Sequence, residues 1–484
     1  LFLPVLPAII ILGGVFGYRY VTQAASIGSI AVLPFVNESG NADVEYLSDG
    51  MSESLINSLS QLPNLSVKAP GVVFRYKDKE TDPQTIAAEL SVQAILSGRV
   101  VQRDDDLTLY LSLVDGRNGN QLWGEQYDRK MTDLVALQNE IARDVSRELR
   151  ARLSGADTQG VARNYTQSVE AYQLYLKGRH HAGRNTPSET QRAISYYQQA
   201  IEIDPNYALA YVKLSNAYLN LALTSEIPAT EVMPKAKAAA NKAIEIDDTL
   251  AEAHQGLCSI SGWYDWNLNA AEKHIKRALE LNPNSADVQI EYAGFLSNTG
   301  RQTEALVEVK HGIELDPSNF RYRALEGLIL IRARQYDEGL AVLQKVIEQS
   351  PNYWQAHVFA IPGYTEQGKF TEALASARQA CKIAGNNPAA MSFLGQTLAK
   401  AGKRAEARVV LEEMLRLSKE RHVSPYNIAM VYNGLEDRAE TFVWLERAYE
   451  LREPRMSMLP MERKWDNLRS DPRFQDLLRR MGLK

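Results

Sequence analysis

Side chains that commonly carry catalysis or hold metal ions are few in this chain and widely scattered. Among the seven histidines, only His180 and His181 are adjacent. Neighbouring residues on a helix point about 100° apart, so this pair makes a poor metal clamp by itself. The two cysteines, Cys258 and Cys381, have no metal-ligand spacing, and we expect both to be small buried apolar residues. We therefore predict no metal site and no cofactor.

The sequence also lacks the short motifs that mark catalytic centres. It contains no GxxxxGK[ST] phosphate loop, no GxSxG nucleophile elbow, no HExxH zinc helix, and neither the HRD nor the DFG sequence of protein kinases. The acidic run at Arg103–Asp106 is better explained as an exposed turn than as a cation site. We predict no catalytic residues, and we predict that the chain as given is not an enzyme.

One sequence unit recurs through the larger part of the chain. The segments "AIEIDPNY", "AIEIDD", "ALELNPN", "GIELDPSN" and "VIEQSPNY" end successive units, and Pro283, Pro317 and Pro351 follow each other at intervals of 34 residues. Within a unit, apolar residues recur at three- and four-residue steps, which predicts amphipathic helices. Where proline follows the second helix of a unit, it ends that helix, because it supplies no backbone donor and disfavours a helical residue before it.

These units resemble the tetratricopeptide repeat (TPR), which has two antiparallel helices in about 34 residues. The near-matches in one unit are Tyr292, Ala293, Ala305, Gly312 and Pro317. The resemblance implies an all-α TPR superhelix of about seven units over residues 169–451, closed by capping helices in residues 452–484. Gly300, Gly368 and Gly402 are expected at helix ends that require a left-handed residue.

The candidate binding residues follow from this architecture. First helices line the concave face of a TPR superhelix, so their polar residues are candidates for binding a peptide or protein segment. Asn216 falls where some TPR proteins place an asparagine that holds a peptide backbone or a terminal carboxylate. The predicted groove residues are Lys213, Asn216, Asn220, Arg321, Arg332, Gln396 and Lys400. The alternative for each is an exposed polar side chain with no ligand.

Residues 27–154 predict a small α/β domain. Short apolar runs near Ser29–Phe35 and in "VQAILSGRVV" indicate buried strands, and leucines that alternate with polar residues over 107–114 indicate a strand with one buried face. Helices are predicted around "DPQTIAAEL" and in an amphipathic stretch from Leu134 to Leu153. Residues 155–168 are polar and contain two glycines, which is typical of a linker.

The stretches "IAVLPFVNESG", "YLSLVDGRNGNQLWGEQYDR" and "LVALQNEIARDV" resemble the TolB amino-terminal-like domain. Such domains occur in bacterial multidomain proteins, directly before TPR arrays. In those relatives a cytoplasmic Ser/Thr protein kinase, a winged-helix DNA-binding domain or a nucleotide cyclase often precedes a single membrane span. The resemblance implies that this chain is the extracytoplasmic sensor part of such a receptor, with the effector domain before Leu1.

The first residues predict a membrane anchor. Leu1–Tyr18 carries no charge, and Arg19 ends the apolar run, so residues 1–20 are expected to form a transmembrane helix. A cleaved signal peptide is the rival interpretation, but no basic segment precedes the run. Few lysines or arginines follow it, which favours a non-cytoplasmic location for the bulk of the chain. The expected localisation is the inner membrane, single-pass, with a periplasmic body.

Charge limits the classes of partner. The formal net charge is −5, and neither part of the chain has the basic surplus that nucleic-acid binding usually needs. We expect protein or peptide partners and no nucleic acid. The predicted function is a non-catalytic, membrane-anchored interaction and sensing module in bacterial signalling. The alternatives are the sensor tail of a Ser/Thr protein kinase and that of a winged-helix transcription regulator.

Overall fold

The computed structural model describes residues 27–150 and 166–483, apart from residues 42–43, 61, 63–64, 78, 80, 185, 225–226 and 318. The chain divides into two compact units, Leu1–Val169 and Glu170–Lys484. The first unit contains a mixed sheet with helices, and the second is entirely helical in its described residues. Each unit has its own core.

The sheet of the first unit has six strands. They are β1 (Ser29–Val32), β2 (Val36–Asn37), β3 (Ser66–Val67), β4 (Ala94–Arg103), β5 (Asp106–Asp115) and β6 (Gln121–Lys130). The strand order is β3-β1-β4-β5-β6, and β2 pairs with β4 beyond the end of β1. β1 and β2 run parallel to β4, whereas β4, β5 and β6 are antiparallel neighbours joined by short turns.

Alternation in β5 places one face of the sheet in the core. Leu107, Leu109, Leu111 and Leu113 are all buried, while the residues between them are half-buried. The helices of this unit are α1 (Glu45–Leu59), α2 (Pro70–Val73), α3 (Pro83–Leu90) and α4 (Leu134–Arg150). α1 and α4 pack against each other, α1 also contacts β1 and β4, and α4 contacts β6. Asp82 caps α3 by accepting hydrogen bonds from the backbone of its first turn.

The second unit consists of paired helices followed by a C-terminal segment. Its helices are α5 (Val169–Gly183), α6 (Pro187–Ile203), α7 (Ala208–Leu223), α8 (Ala229–Ile246), α9 (Ala251–Trp263), α10 (Leu268–Leu281), α11 (Ala286–Asn298), α12 (Gln302–Leu315), α13 (Phe320–Arg332), α14 (Tyr336–Gln349), α15 (Trp354–Glu366), α16 (Phe370–Ile383), α17 (Pro388–Lys400), α18 (Arg404–Leu417), α19 (Pro425–Gly434), α20 (Arg438–Glu450) and α21 (Pro472–Arg480). α5 to α20 form eight consecutive pairs of a TPR superhelix.

The same turn connects one pair to the next. The backbone N–H groups of Tyr207, Ser285, Asn319 and Tyr353 each donate to the carbonyl of the residue three positions earlier. Within pairs, left-handed glycines end the first helices: Gly300, Gly368 and Gly402 have φ angles of 87°, 73° and 78°. This confirms the predicted role of these glycines, because a side chain at such a φ angle meets its own backbone.

The C-terminal segment begins where α20 ends. We use this name for Arg452–Leu468, which contains two 3-10 turns, Pro454–Met458 and Arg463–Leu468. Its apolar residues and those of α21 form one core with the last helix pair, and the fully buried members include Met456, Leu459, Trp465, Leu468, Phe474 and Leu477. The segment therefore seals the end of the array, as a solenoid requires.

The predicted fold class and localisation need one correction. Across the part of the chain that the structure describes, no helix combines the length and apolar character needed to cross a bilayer, because the helices found there are amphipathic or interrupted by charged residues. The expected transmembrane helix at residues 1–20 falls outside the described residues. The single-pass inner-membrane localisation, the periplasmic body and the membrane partner are therefore not supported.

Candidate functional site

The first helices α7, α9 and α11 surround a cavity of about 540 Å³. We call this cavity the chamber. It lies between the first helices of three successive pairs, on the face where TPR proteins are expected to bind their ligands. Its polar lining residues are Lys213, Asn216, Glu252, Gln255, Ser259, Asp287, Glu291, Asn298, Thr299 and Ser457. Regular spacing of the helix pairs brings these residues together, since each first helix presents one face to the same side.

Lys213 and Glu252 form an ion pair across two neighbouring first helices. The distance from Lys213 Nζ to Glu252 Oε2 is 3.0 Å. The positive charge of Lys213 holds the pKa of Glu252 below its usual value, against the opposing effect of desolvation. Glu252 is therefore ionised at neutral pH, and Lys213 has its charge balanced within the chain.

Asp287 and Glu291 lie one helical turn apart on α11 and add two more carboxyl groups to the chamber. Ser259 Oγ donates a hydrogen bond to Glu291, and the hydroxyl of Tyr322 donates one to Asp287. Desolvation by the chamber walls raises the pKa of Glu291 to about 7, and it also raises the pKa of Asp287. Glu291 thus titrates near neutral pH, and the chamber becomes more negative as the pH rises.

The remaining wall of the chamber is apolar. It contains Leu219, Leu223, Trp263, Ile290 and Phe295. Leu223 is 44% exposed, so the wall presents apolar surface to the chamber there. The combination of carboxylates, amides and an apolar wall suits a peptide that buries one apolar side chain and places polar groups beside it.

The distal part of the same helix face is covered by the C-terminal segment. Arg463 Nη1 donates to the hydroxyl of Tyr336 at 2.8 Å and lies 2.5 Å from Glu366 Oε2. The Nζ of Lys464 lies 5.0 Å from the centroid of the Phe393 ring on α17. Ser457 of the segment borders the chamber. The chamber therefore adjoins a stretch of helices that the C-terminal segment contacts.

The predicted groove residues divide between these two regions. Lys213 and Asn216 line the chamber, and Asn216 is exposed. Asn220 is half-buried on α7, one turn from Asn216, and Arg321 is exposed at the start of α13. The structure therefore brings two of the seven residues together in the chamber.

The other three predicted residues lie in the distal region. Arg332 Nη1 donates to Ser297 Oγ at 2.9 Å and to Asn298 Oδ1 at 2.8 Å, so it joins α13 to α11. Gln396 is buried where Gly434 of α19 packs closely on it. Lys400 lies near the charges of the C-terminal segment and has a pKa lowered by desolvation.

Sequence reasoning missed the acidic residues Glu252, Asp287 and Glu291. A signal was present, because Asp287 and Glu291 are four residues apart in a first helix and so share a face. What the sequence could not show is that this face and the face of α9 with Glu252 border the same space. Among the described residues, no group of three or more His, Cys, Asp or Glu side chains is placed to hold a metal ion.

Comparison with known proteins gives a different result for each unit. Residues 25–144 match the family model described as "HilA/YgeH-like transcriptional regulator, second domain". Tetratricopeptide repeat models match residues 189–207, 267–329, 324–388 and 364–421. The TolB-like resemblance of the first unit stays a prediction, since the matching model over that segment is the HilA/YgeH-like domain.

Two curated relatives match longer stretches. The chain is 31% identical over 236 residues to the putative adenylate cyclase 3 of Rhizobium meliloti, covering 49% of this chain and 40% of the cyclase. It is 24% identical over 314 residues to the transcriptional regulator HilA of Salmonella typhimurium, covering 64% of this chain and 54% of HilA. The chain thus spans about half the length of these relatives.

Matches among solved structures cover part of the chain. YrrB, described as a TPR protein with an unusual peptide-binding site, is 23% identical, with a TM-score of 0.28 over 39% of this chain and 91% of YrrB. Yeast Tom70 is 17% identical, with a TM-score of 0.42 over 67% of this chain and 70% of Tom70. On the family models and the helix pairs together, the second unit of this chain is an array of tetratricopeptide repeats.

Proposed function

We propose that the chain is a non-catalytic interaction module that binds a short peptide segment of a protein partner in the chamber. The observation that carries this proposal is the cavity of about 540 Å³ between the first helices α7, α9 and α11. Its volume is within the range of about 300–1,000 Å³ that ligand sites usually have. TPR arrays act as protein-interaction scaffolds, and helix faces that line a cavity supply both side-chain and shape recognition.

Charge gives the proposed ligand its chemistry. Three carboxyl groups, on Glu252, Asp287 and Glu291, face a chamber whose lining includes one cation, Lys213. Because Lys213 already pairs with Glu252, the other two carboxyl groups favour a lysine or arginine of the ligand. The apolar wall near Leu223 and Trp263 would take an apolar neighbour of that residue.

The test uses the full chain and two kinds of probe. An array of immobilised random peptides should retain the chain mainly on peptides with lysine or arginine, and labelled hexalysine should bind in solution. The double substitution Asp287→Asn and Glu291→Gln should weaken hexalysine binding about tenfold. It removes two charge pairs with the ligand, and each partly exposed pair contributes ~0.5–1 kcal/mol. Higher salt should weaken the binding further.

A matched control is Glu280→Gln, which removes an exposed carboxylate from α10, a second helix. This variant should bind hexalysine as the unchanged chain does. Retention of acidic peptides on the array, or equal losses in the chamber variant and in Glu280→Gln, would contradict the proposed site.

A second candidate concerns the protein to which this module belongs. We infer a regulatory role beside an effector domain, as in a transcription regulator, because the HilA/YgeH-like model covers residues 25–144 and the match to HilA extends over 314 residues. The cyclase match supports a similar arrangement with another effector, and the kinase alternative rests on the TolB-like resemblance alone. Reading the coding sequence upstream of Leu1 distinguishes a winged-helix domain, a cyclase, a kinase or a start codon.

A further inference from the structure

The C-terminal segment follows the same helix face that forms the chamber. Its first 3-10 turn packs against α9, and Ser457 of this turn borders the chamber. Farther along, a Cβ atom on Gly300 would lie 3.0 Å from Met461, so the segment contacts the turn after α11 closely. The segment then reaches α14, α15, α17 and α19, as the contacts of Arg463 and Lys464 show.

At its proximal end the segment is attached to the third helix pair. Arg452 Nη1 donates to the carbonyl of Tyr264 at 3.0 Å, although these residues are 188 positions apart in the chain. The guanidinium of Arg452 also lies 5.0 Å from the centroid of the Trp266 ring, and that ring stacks on Tyr449. A hydrogen bond and a cation–π contact of Arg452 therefore attach the start of the segment to the third helix pair.

Farther along, the segment is anchored by a buried polar cluster. The hydroxyl of Tyr426 donates to Glu462 and accepts a hydrogen bond from Trp465 Nε1 at 2.9 Å. Glu462 also pairs with Lys464 at 3.1 Å, and Asn433 Nδ2 donates to the carbonyl of Lys464 at 2.6 Å. Helix α19, which carries Tyr426 and Asn433, is a first helix, so the groove binds both the side chains and the backbone of this segment.

These contacts have the character of peptide recognition. The segment has little regular structure, offers its backbone to an asparagine, and buries Met456 and Trp465 among helices of the array. We propose that the C-terminal segment is a built-in ligand of the groove, which fills its distal half and confines any partner to the chamber. Filling of the distal half does not depend on the proposed function, whereas the confinement of a partner rests on it.

The proposal also assigns roles to two predicted groove residues. Lys400 lies near Glu366 and near Asp466 and Arg463 of the segment, and Arg332 experiences the negative charge of Glu462. Lys400 therefore lies among charges of the segment, whereas Arg332 also joins α13 to α11 through Ser297 and Asn298. Replacing Lys400 should leave hexalysine binding in the chamber unchanged.

Hydrogen exchange of the full chain, followed by mass spectrometry, tests the occupancy. Residues 454–468 should exchange far more slowly than a free peptide of the same sequence. In Tyr426→Phe, which leaves the partners of the hydroxyl unsatisfied, exchange there should rise about tenfold, and exchange of the facing helices α15 and α17 should rise with it. Tyr449→Phe, which keeps its stacked ring, should leave these rates unchanged.

Some outcomes would overturn the proposal. Exchange of residues 454–468 at the rate of the free peptide would do so. So would a loosened segment with no change in α15 and α17. If Tyr426→Phe does not fold, Arg463→Ala takes its place, since it removes the contacts with Tyr336 and Glu366 while Arg479→Ala removes an exposed local pair as the control.

Hexalysine added to the same samples tests the confinement. Protection of α7, α9 and α11 alone would support it, and protection of α13, α15 or α17 in the unchanged chain would overturn it. If hexalysine does not bind at all, the proposed function and the confinement fail, while the exchange of residues 454–468 still decides whether the segment fills the distal half.

Discussion

At the scale of single residues, the fold moves the pKa of Glu291 into the neutral range. Its pKa is raised to about 7 by desolvation, whereas a free glutamate has a pKa of about 4.3. Between these two values the folded chain holds a proton that the unfolded chain has lost. The contribution of Glu291 to the free energy of unfolding is therefore fully present below the pKa of the unfolded chain. It decreases as the pH rises towards the pKa of the folded chain.

The substitution Glu291→Gln should remove this pH dependence. When the pH rises from 5 to 8, the free energy of unfolding of the variant, relative to that of the unchanged chain, should increase by on the order of 1–3 kcal/mol. Thermal unfolding at both pH values measures this difference. Glu280→Gln, whose carboxylate is exposed, should show no such gain, and an equal response of the two variants would contradict the origin assigned to the effect.

At the scale of helices, close approach within a pair depends on small residues. A Cβ atom on Gly178 of α5 would lie 2.5 Å from the ring of Tyr197, which is buried on α6 and has no room to move. Gly294 lies on α11, which is also a first helix. A Cβ atom added there would meet no atom of another element within 4 Å. The two glycines therefore respond differently to the same substitution.

Gly178→Ala should destabilise the array by about 1–3 kcal/mol, because overpacking exceeds the gain in helix propensity. Gly294→Ala should stabilise it by up to ~1 kcal/mol, because only the propensity changes. Chemical denaturation of both variants, compared with the unchanged chain, measures the two effects. A change in stability of the same sign in both variants would show that crowding against Tyr197 does not determine the effect of Gly178→Ala.

At the scale of the whole second unit, the array joins helix pairs that are far apart in sequence. Repeat proteins usually hold each unit only by its neighbours. Here Trp266, which follows the helix α9, belongs to the core cluster of the last pair and stacks on Tyr449 with ring centroids 5.3 Å apart. This contact couples the stability of the third and eighth pairs.

Trp266→Ala should therefore cost about 3–5 kcal/mol and loosen two distant parts of the chain together. Hydrogen exchange should increase in α9 and also in α20 and the C-terminal segment. Trp354→Ala changes a half-buried tryptophan that packs in a different cluster, and its effect should stay near α15 and its neighbours. An effect of Trp266→Ala restricted to α9 would show that the distant contact does not couple the two ends.

Much of the local architecture could be read from the residues. The alternating leucines of β5, the prolines that end the second helices and the left-handed Gly300, Gly368 and Gly402 all match elements of the structure. The sequence predicts Lys213 and Asn216 on the concave face from their position in a first helix; both line the chamber, and their role in binding stays a prediction. The predicted transmembrane helix at residues 1–20 lies outside the described residues, and no helix among the described residues is long and apolar enough to span a membrane.

The sequence by itself determined which segments form helix pairs, because helix periodicity, turn residues and proline act over a few neighbouring positions. Only the tertiary structure decided that the C-terminal segment lies in the groove, since its contacts join positions as far apart as Arg452 and Tyr264. The raised pKa of Glu291 was also decided only by the tertiary structure, because its desolvation depends on residues from three separate helices. Contacts between distant residues leave no periodic pattern in the sequence. The extent of the open groove therefore cannot be predicted from the sequence and is seen only in the structure.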